Sequence, residues 1–521
     1  MTTKFLIATL LVFFHCSGIK LSAQITFQKT YGLTGTEMAN AVREIPGGGF
    51  IVAGSVLNNS SLLMNIWLVR TNSTGDTLWS RTFEGAGSNF ALDVIIASDG
   101  NFILTGAVHR YTGGMDGCAL LKVDTNGNLL WQKRIAASNG WNQANSIRET
   151  FDHGFILCGS AFDNIGSPWN DVLYVKTDSV GNVQWAKKYG VANHHDEGFD
   201  IEQTMDSGFI MVGYTTRSSG YSSSFVIKAD KNGDTLWTRI YPPALFGNFG
   251  EAVEELPDGS FIVCNNPGII MINIDANGNI LWSRKQQIGF ASEDHISMCK
   301  TYDGGYAICG TCMIPVEEVF VVKTDSLGQA IWCKTYGGIN FDEGLSIAPT
   351  SDHGFVISGA TRSFGSADND MYLLKTDSVG EIICGSIGRP VSSVVATQQP
   401  GHVQLYKNNF SVTNNDSLSI GSGGSVIDVC NYLGYSILGK EILTLSPNPV
   451  YDQLKVRFSS TEHSAIYSAD IFNLFGEKIF SSSFCGSVFT IDCNHFQNGI
   501  YFLALQMEDG KTVSNKFIVV K

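Results

Sequence analysis

The chain has 521 residues, a formal net charge of −14 and 56 glycines, with 44% hydrophobic and 16% charged residues. That composition excludes a disordered chain, the length exceeds one small domain, and the glycine content fits an all-β protein rich in turns. Lysine and arginine form no cluster on this acidic background, which argues against a nucleic-acid partner.

In chain order, a positive Lys4 precedes an apolar run from Phe5 to Phe14, and Leu21-Ser22-Ala23 ends in a small residue. This pattern predicts a signal peptide over residues 1–23, cleaved between Ala23 and Gln24. The run is too short for a permanent membrane helix. No later stretch reaches the roughly 18 apolar residues one needs, so no integral membrane span is expected after cleavage. Cys16 follows His15, a poor setting for a lipid-modified cysteine.

Residues 24–385 are a repeat. A phrase of the form Asp-x-x-Gly-x-x-x-Trp, with Asn72 in place of Asp in the first copy, ends at Trp79, Trp131, Trp185, Trp237, Trp282 and Trp332, at steps of 45 to 54 residues. A period of that size signals a repeat architecture. Each copy divides into four short strands. In one, Ala144–Glu149 alternates and Asp152-His153-Gly154 turns the chain. Phe155–Gly159 is an apolar second strand, Val172–Lys176 a third, and Gln184–Tyr189 a fourth after the turn at Gly181. Four antiparallel strands repeated radially make a β-propeller. The tryptophans would wedge between blades, contributing at most roughly 4–6 kcal/mol each if wholly buried. Ile25–Gly32 matches the fourth strand Ile331–Gly337 but has no partner strands before it, and the last copy ends without tryptophan. The N-terminal strand is therefore expected to complete the seventh blade. The repeating phrase resembles the tryptophan-docking motif of quinoprotein-like propellers, a resemblance that speaks to architecture more than chemistry.

Residues 386–442 lose the repeat and read as a Ser-, Asn- and Gly-rich linker with a strand or two. Residues 443–521 read as a small β-sandwich, with a hairpin about Gly476. Pro447-Asn448-Pro449, then Gly476, then Gly499 and Tyr501, then Lys516 to Lys521 stand in the order of the type A sorting domain of the type IX secretion system, which this segment resembles. The resemblance implies a Gram-negative bacterium of the Bacteroidota type, the secretion machinery as a partner, and a destination outside the cell or on its outer surface.

Candidate chemistry is sparse. The Asp-x-Asn-Gly turns, such as Asp124–Asn128, offer two or three oxygens each, short of the six to eight calcium takes. Turn chemistry accounts for their composition, and no cofactor is expected. Cys309 and Cys312 have redox spacing on a strand, without a helix start to acidify the thiol. Cys485 and Cys493 could bridge. Asp196 and Glu197, Asp294, and Asp342 and Glu343 fall at equivalent places before first strands, where carboxylates could ring the mouth of a channel or merely cap turns. Tyr111, Trp169 and Tyr221 lie in variable loops as candidate ligand anchors. The sequence thus predicts an all-β chain: a seven-bladed propeller of four-stranded antiparallel blades, then a small C-terminal β-sandwich. Its expected role is non-enzymatic binding of a surface glycan or protein. The alternatives are a propeller enzyme, quinoprotein-like or glycan-hydrolysing, and a purely structural surface-layer protein. A quinoprotein's adjacent cysteine pair is missing.

Overall fold

In the computed structural model, the described residues are 24–382 except 34, 86, 110–115, 137–140, 163–168, 217–221, 242–247, 289–294, 314–315 and 366–367. Beyond 382 they are 386–395, 406–409, 419–421, 425–428, 442–446, 450–459, 466–473, 478–482, 488–507 and 512–521. Among these the chain is all β, in nine antiparallel sheets. Residues 1–23, and with them Ala23, lie outside the described residues.

Seven sheets come from residues 27–376 and two from 442–519. The first sheet takes Glu37–Glu44, Phe50–Asn58, Leu63–Thr71 and Thr77–Glu84 in that order, and the next five repeat the scheme. The seventh takes Asp342–Pro349, Phe355–Thr361 and Asp370–Thr376, then the N-terminal strand Phe27–Gly32 in place of a fourth. Phe27 pairs with Lys375 and Tyr31 with Met371. Gln24 is tied to the same sheet, accepting a hydrogen bond from the Ser378 amide at 3.1 Å.

An apolar cluster fills each space between consecutive sheets. Ile51 and Phe83 meet Leu104 and Leu121 between the first and second. Tyr174 meets Met211 between the third and fourth, and Met271 meets Ile308 between the fifth and sixth. The circuit returns on itself, because Phe27, Tyr31 and Leu373 of the seventh sheet pack with Val52 and Trp67 of the first. A polar clasp repeats along the circuit. The last residue of an inner strand accepts from a turn amide of the preceding sheet: Glu149 from Ser98 (2.7 Å), Gln203 from Phe151 (2.7 Å), Glu255 from Met205 (2.7 Å). Glu44 accepts from Ser351 (2.6 Å) across the closing junction. The body is propeller-like.

The six tryptophans sit at these junctions at the cluster edges, largely but not wholly buried, so each contributes somewhat less than the sequence expectation of roughly 4–6 kcal/mol. Each ring lies against the turn glycine of the following sheet. A methyl added at Gly181 would sit 2.8 Å from Trp131, at Gly233 2.7 Å from Trp185, at Gly278 3.0 Å from Trp237, and at Gly380 2.7 Å from Trp332. Those glycines have φ of +73° to +79°. They therefore serve both a left-handed turn and a close approach. Trp79 Nε1 donates to the Thr125 carbonyl at 3.0 Å and Trp237 Nε1 to Ala276 at 2.9 Å. At the closing junction Phe27 lies 2.8 Å from a methyl built at Gly75, and takes the place of a seventh indole. Tyr31 then donates to the Gly75 carbonyl at 2.6 Å, as Tyr336 does to Gly380 at 2.7 Å.

The segment read as a linker contributes five short strands rather than one or two. Ile387–Arg389, Ser392–Val395, Tyr406–Asn409, Ser419–Gly421 and Ser425–Asp428 each add a fifth strand to a sheet of the body. The remaining two sheets, from Ile442–Ser446, Gln453–Ser459 and Val488–Asp492, and from Lys478–Ser482, Ile466–Asn473, Gly499–Met507 and Thr512–Val519, share one core with Leu454, Val456, Ile471, Leu503 and Phe517. The strands flanking Gly476 pair as a hairpin, although Gly476 itself, like Pro447, Asn448 and Pro449, lies outside the described residues. Tyr501 is buried and donates to the Gln497 carbonyl at 2.9 Å; the Lys521 amide donates to Asn498 at 2.7 Å. Lys516 pairs through its backbone with Phe502. Cys493 is a free, buried thiol in this core. Its expected partner Cys485 lies outside the described residues.

Candidate functional site

The innermost strands of the sheets enclose a cavity of about 950 Å³. What aims side chains into it is a β-bulge. Six of the seven inner strands slip register midway, as between Ala144 and Ser146 or Gly198 and Asp200. The extra residue of a bulge is freed from the ladder and turned. Those residues are Asn40, Leu92, Asn145, Phe199, Glu251 and Leu345, and all six line the cavity.

One stretch of the wall is an ionic lattice. Arg43 Nη2 meets Asp93 at 2.8 Å, and Arg148 bridges Asp93 (3.0 Å) and Asp200 (2.6 Å). Both carboxylates also accept backbone amides, Asp93 from Ile147 at 3.1 Å and Asp200 from Val253 at 3.0 Å. They are thus compensated on every side. Burial alone would favour loss of the Arg148 proton, but Asp200 and Asp93 outweigh it and hold the guanidinium firmly charged. Beside them, burial together with the neighbouring Glu254 pushes Glu202 up to about 8. Burial raises Glu254 as well.

Toward the starts of the inner strands the wall changes character. Glu197 Oε1 accepts from Gln143 Nε2 at 2.7 Å and from Asn145 Nδ2 at 2.8 Å. Phe199 stacks with Tyr214 at 5.6 Å between centroids, and Tyr214 meets Phe249 edge-on at 4.9 Å. His295 packs edge-on against Phe199 at 5.0 Å, and its Nδ1 lies 3.0 Å from Glu251 Oε2. Three phenyl rings, an imidazole, two carboxylates and two amides therefore converge on one end of the cavity. That combination offers flat apolar faces and, beside them, donors and acceptors for hydroxyls.

The carboxylates singled out in the sequence separate into two sets. Asp196 and Asp342 do not face the cavity. Each is buried at the first position of its strand and ties down the preceding loop. Asp196 accepts from the Val191 amide at 2.7 Å, and Asp342 from Gly338 at 2.7 Å and the Ser363 hydroxyl at 2.7 Å. Burial pushes Asp196 up to about 7 and raises Asp342. The capping alternative describes these two. Glu197, one residue on, lines the cavity. Glu343 lines a separate hollow of about 280 Å³ with Glu317, Phe341 and Arg362. Asp294, Tyr111 and Tyr221 lie outside the described residues. Trp169, expected to be exposed, is half-buried, with its ring against His195 at 4.7 Å. The Asp-x-Asn-Gly turns spend their carboxylates on themselves: Asp124 Oδ1 accepts from the Asn126 (2.9 Å) and Asn128 (2.8 Å) amides. Cys309 and Cys312 are buried thiols, each raised by burial.

Gln143, Asn145, Phe199, Tyr214, Phe249 and Glu251 escaped the sequence reading. A signal for most of them was available. Aligned on the aromatic after each first turn, the second and fourth residues of the inner strand vary from copy to copy, while the residue between them is Ala or Gly in six of the seven.

Residues 444–521 match the secretion system C-terminal sorting domain. The tail is a secretion sorting domain. Its type IX character marks the chain as exported, to the outside or surface of the cell. No curated protein matches the chain. Among solved structures, Sqt1 from Chaetomium thermophilum is 12% identical at a TM-score of 0.38, covering 72% of this chain and 99% of that one. A mutant puromycin hydrolase complexed with PGG is 12% identical at 0.35, covering 64% and 51%. The extracellular domain of a hybrid two component system from B. thetaiotaomicron is 10% identical at 0.23, covering 93% and 68%. At those scores the likenesses carry no weight for the body ahead of the sorting domain.

Proposed function

We propose that the chain is an exported, non-enzymatic binding protein of a Bacteroidota bacterium. In this reading its seven body sheets are the blades of one closed β-propeller, and its ligand, a surface glycan, enters the central cavity at the aromatic end. The observation that carries this reading is Glu197, held by two side-chain amides beside the Phe199, Tyr214 and Phe249 rings. Ring faces suit the CH surface of a sugar, and fixed amide and carboxylate groups suit its hydroxyls. At the opposite end Asp93 and Asp200 are bound up with arginines and backbone amides, which favours a scaffold role for these two over acid–base work.

The test is a glycan array probed with the purified full chain, followed by titration of any hit. Glu197→Gln and the pair Tyr214→Ala with Phe249→Ala should each weaken binding at least about tenfold, equivalent to about 1.4 kcal/mol, with no glycan consumed. Binding undiminished in both variants refutes the site. Turnover that Glu197→Gln abolishes would make the protein an enzyme instead, and neither binding nor turnover would favour a structural surface-layer role.

A further inference from the structure

The five strands after residue 386 follow an order that the body does not. Ile387–Arg389 pairs with the last strand of the sixth sheet, and Ser392–Val395 with that of the fifth. Tyr406–Asn409 pairs with the third sheet and Ser419–Gly421 with the first. Ser425–Asp428 pairs with the N-terminal strand of the seventh. The segment therefore runs backward around the rim and ends on the sheet next to the one where it began.

Its backbone pairing is thin. Each strand makes three or four residue pairs. Ile387, Val394 and Val395 are exposed, and the anchors at that end are polar: Arg389 Nη2 to Glu318 at 3.1 Å and Ser393 Oγ to Gln286 at 2.6 Å. Among the side chains described, the fully buried residues of the seven clusters between sheets belong to residues 27–382, and Val391 is the one strap residue packed against a cluster edge. The N-terminal strand, paired on one side by Ser425–Asp428, keeps five pairs to Asp370–Thr376 on the other.

We infer that the five strands between Ile387 and Asp428 form a peelable strap between the propeller-like body and the sorting domain. The strap can leave the rim strand by strand while the ring stays closed. A pull on the tail, or a protease acting near it, is then met by the strap before it reaches the body. Because the two ends of the strap sit on neighbouring sheets, its release frees nearly its whole contour, roughly 140 Å at about 3.4 Å per residue. While docked, it also covers rim edges that would otherwise present open strand edges to other chains.

Hydrogen–deuterium exchange of the full chain tests this. Amides of Ser392–Val395 and Ser425–Asp428 should exchange at least about 30-fold faster than those of Asp370–Thr376, since local opening needs few broken contacts. Ser393→Pro with Val394→Pro should leave exchange in Asp370–Thr376 unchanged. Lys29→Pro with Thr30→Pro, in the ring-closing strand, should accelerate it at least about 100-fold. Strap amides as protected as those of Asp370–Thr376, or a strap proline pair that opens the body as the ring-closing pair does, would overturn the inference.

Discussion

Gly233 and Gly259 offer a controlled test of how one sheet is locked to the next. Both are turn glycines in the left-handed region, with φ of +73° and +79°. A methyl at Gly259 would meet nothing within 4 Å, whereas one at Gly233 would lie 2.7 Å from Trp185 of the preceding sheet. The backbone cost of alanine at positive φ is common to both, about 1–2 kcal/mol. Only Gly233→Ala adds the displacement of a packed indole, a further ~1–3 kcal/mol, the usual cost of overpacking. In urea denaturation Gly233→Ala should therefore lose about 2–5 kcal/mol and Gly259→Ala about 1–2 kcal/mol. The excess should vanish in a Trp185→Ala background, where the ring is gone. Equal losses at the two glycines, or an excess that survives removal of Trp185, would refute indole docking as the device that joins the sheets.

Other outcomes follow from the same geometry. Asp196 ionises at about 7 in the folded chain against 3.8 as its ordinary value, because it is buried. The folded state thus holds an extra proton between those values, so this group's share of stability is present below about pH 4 and is lost as pH rises toward 7. Asp196→Asn should flatten that slope in stability-versus-pH measurements. Asp152 and Asp303 act oppositely. Partial burial would raise them, but hydrogen bonds from Thr150 and Thr301, then from Lys176 and Lys323, outweigh it and hold both down to about 2. Their contribution is full above about pH 4 and is lost as pH falls toward 2, so Asp152→Asn should blunt acid unfolding in that window. Arg148→Met strands Asp93 and Asp200 without their shared guanidinium and should cost about 3 kcal/mol in denaturant midpoint analysis. A loss below about 1 kcal/mol would show that Arg43, the Ser146 hydroxyl and the backbone amides suffice.

Much of the architecture was legible because it repeats. One indole and one glycine per copy fix both the period and the junction, and the match of Ile25–Gly32 to a fourth strand revealed its partner sheet. Phe27 was harder to see as the seventh docking ring, since the seventh sheet's last turn and its fourth strand stand far apart in the sequence. The cavity wall was less legible. A bulge turns Asn145 and Phe199 inward, and strict alternation gives no hint of it. Asp196 and Glu197 look alike in sequence, yet the pleat sends one to a loop and the other to the cavity. The strap left little trace because its strands are only three or four residues long, too short to show a period.

Closure of the ring by the N-terminal strand is tested most directly by complementation. A chain beginning at Leu33 lacks the strand that pairs with Asp370–Thr376 and the ring that rests on Gly75. It should melt well below the full chain, and a synthetic peptide spanning Gln24–Gly32 should bind it saturably and restore the full-chain transition. A truncated chain that melts with the full one, indifferent to the peptide, would contradict a body closed in this way.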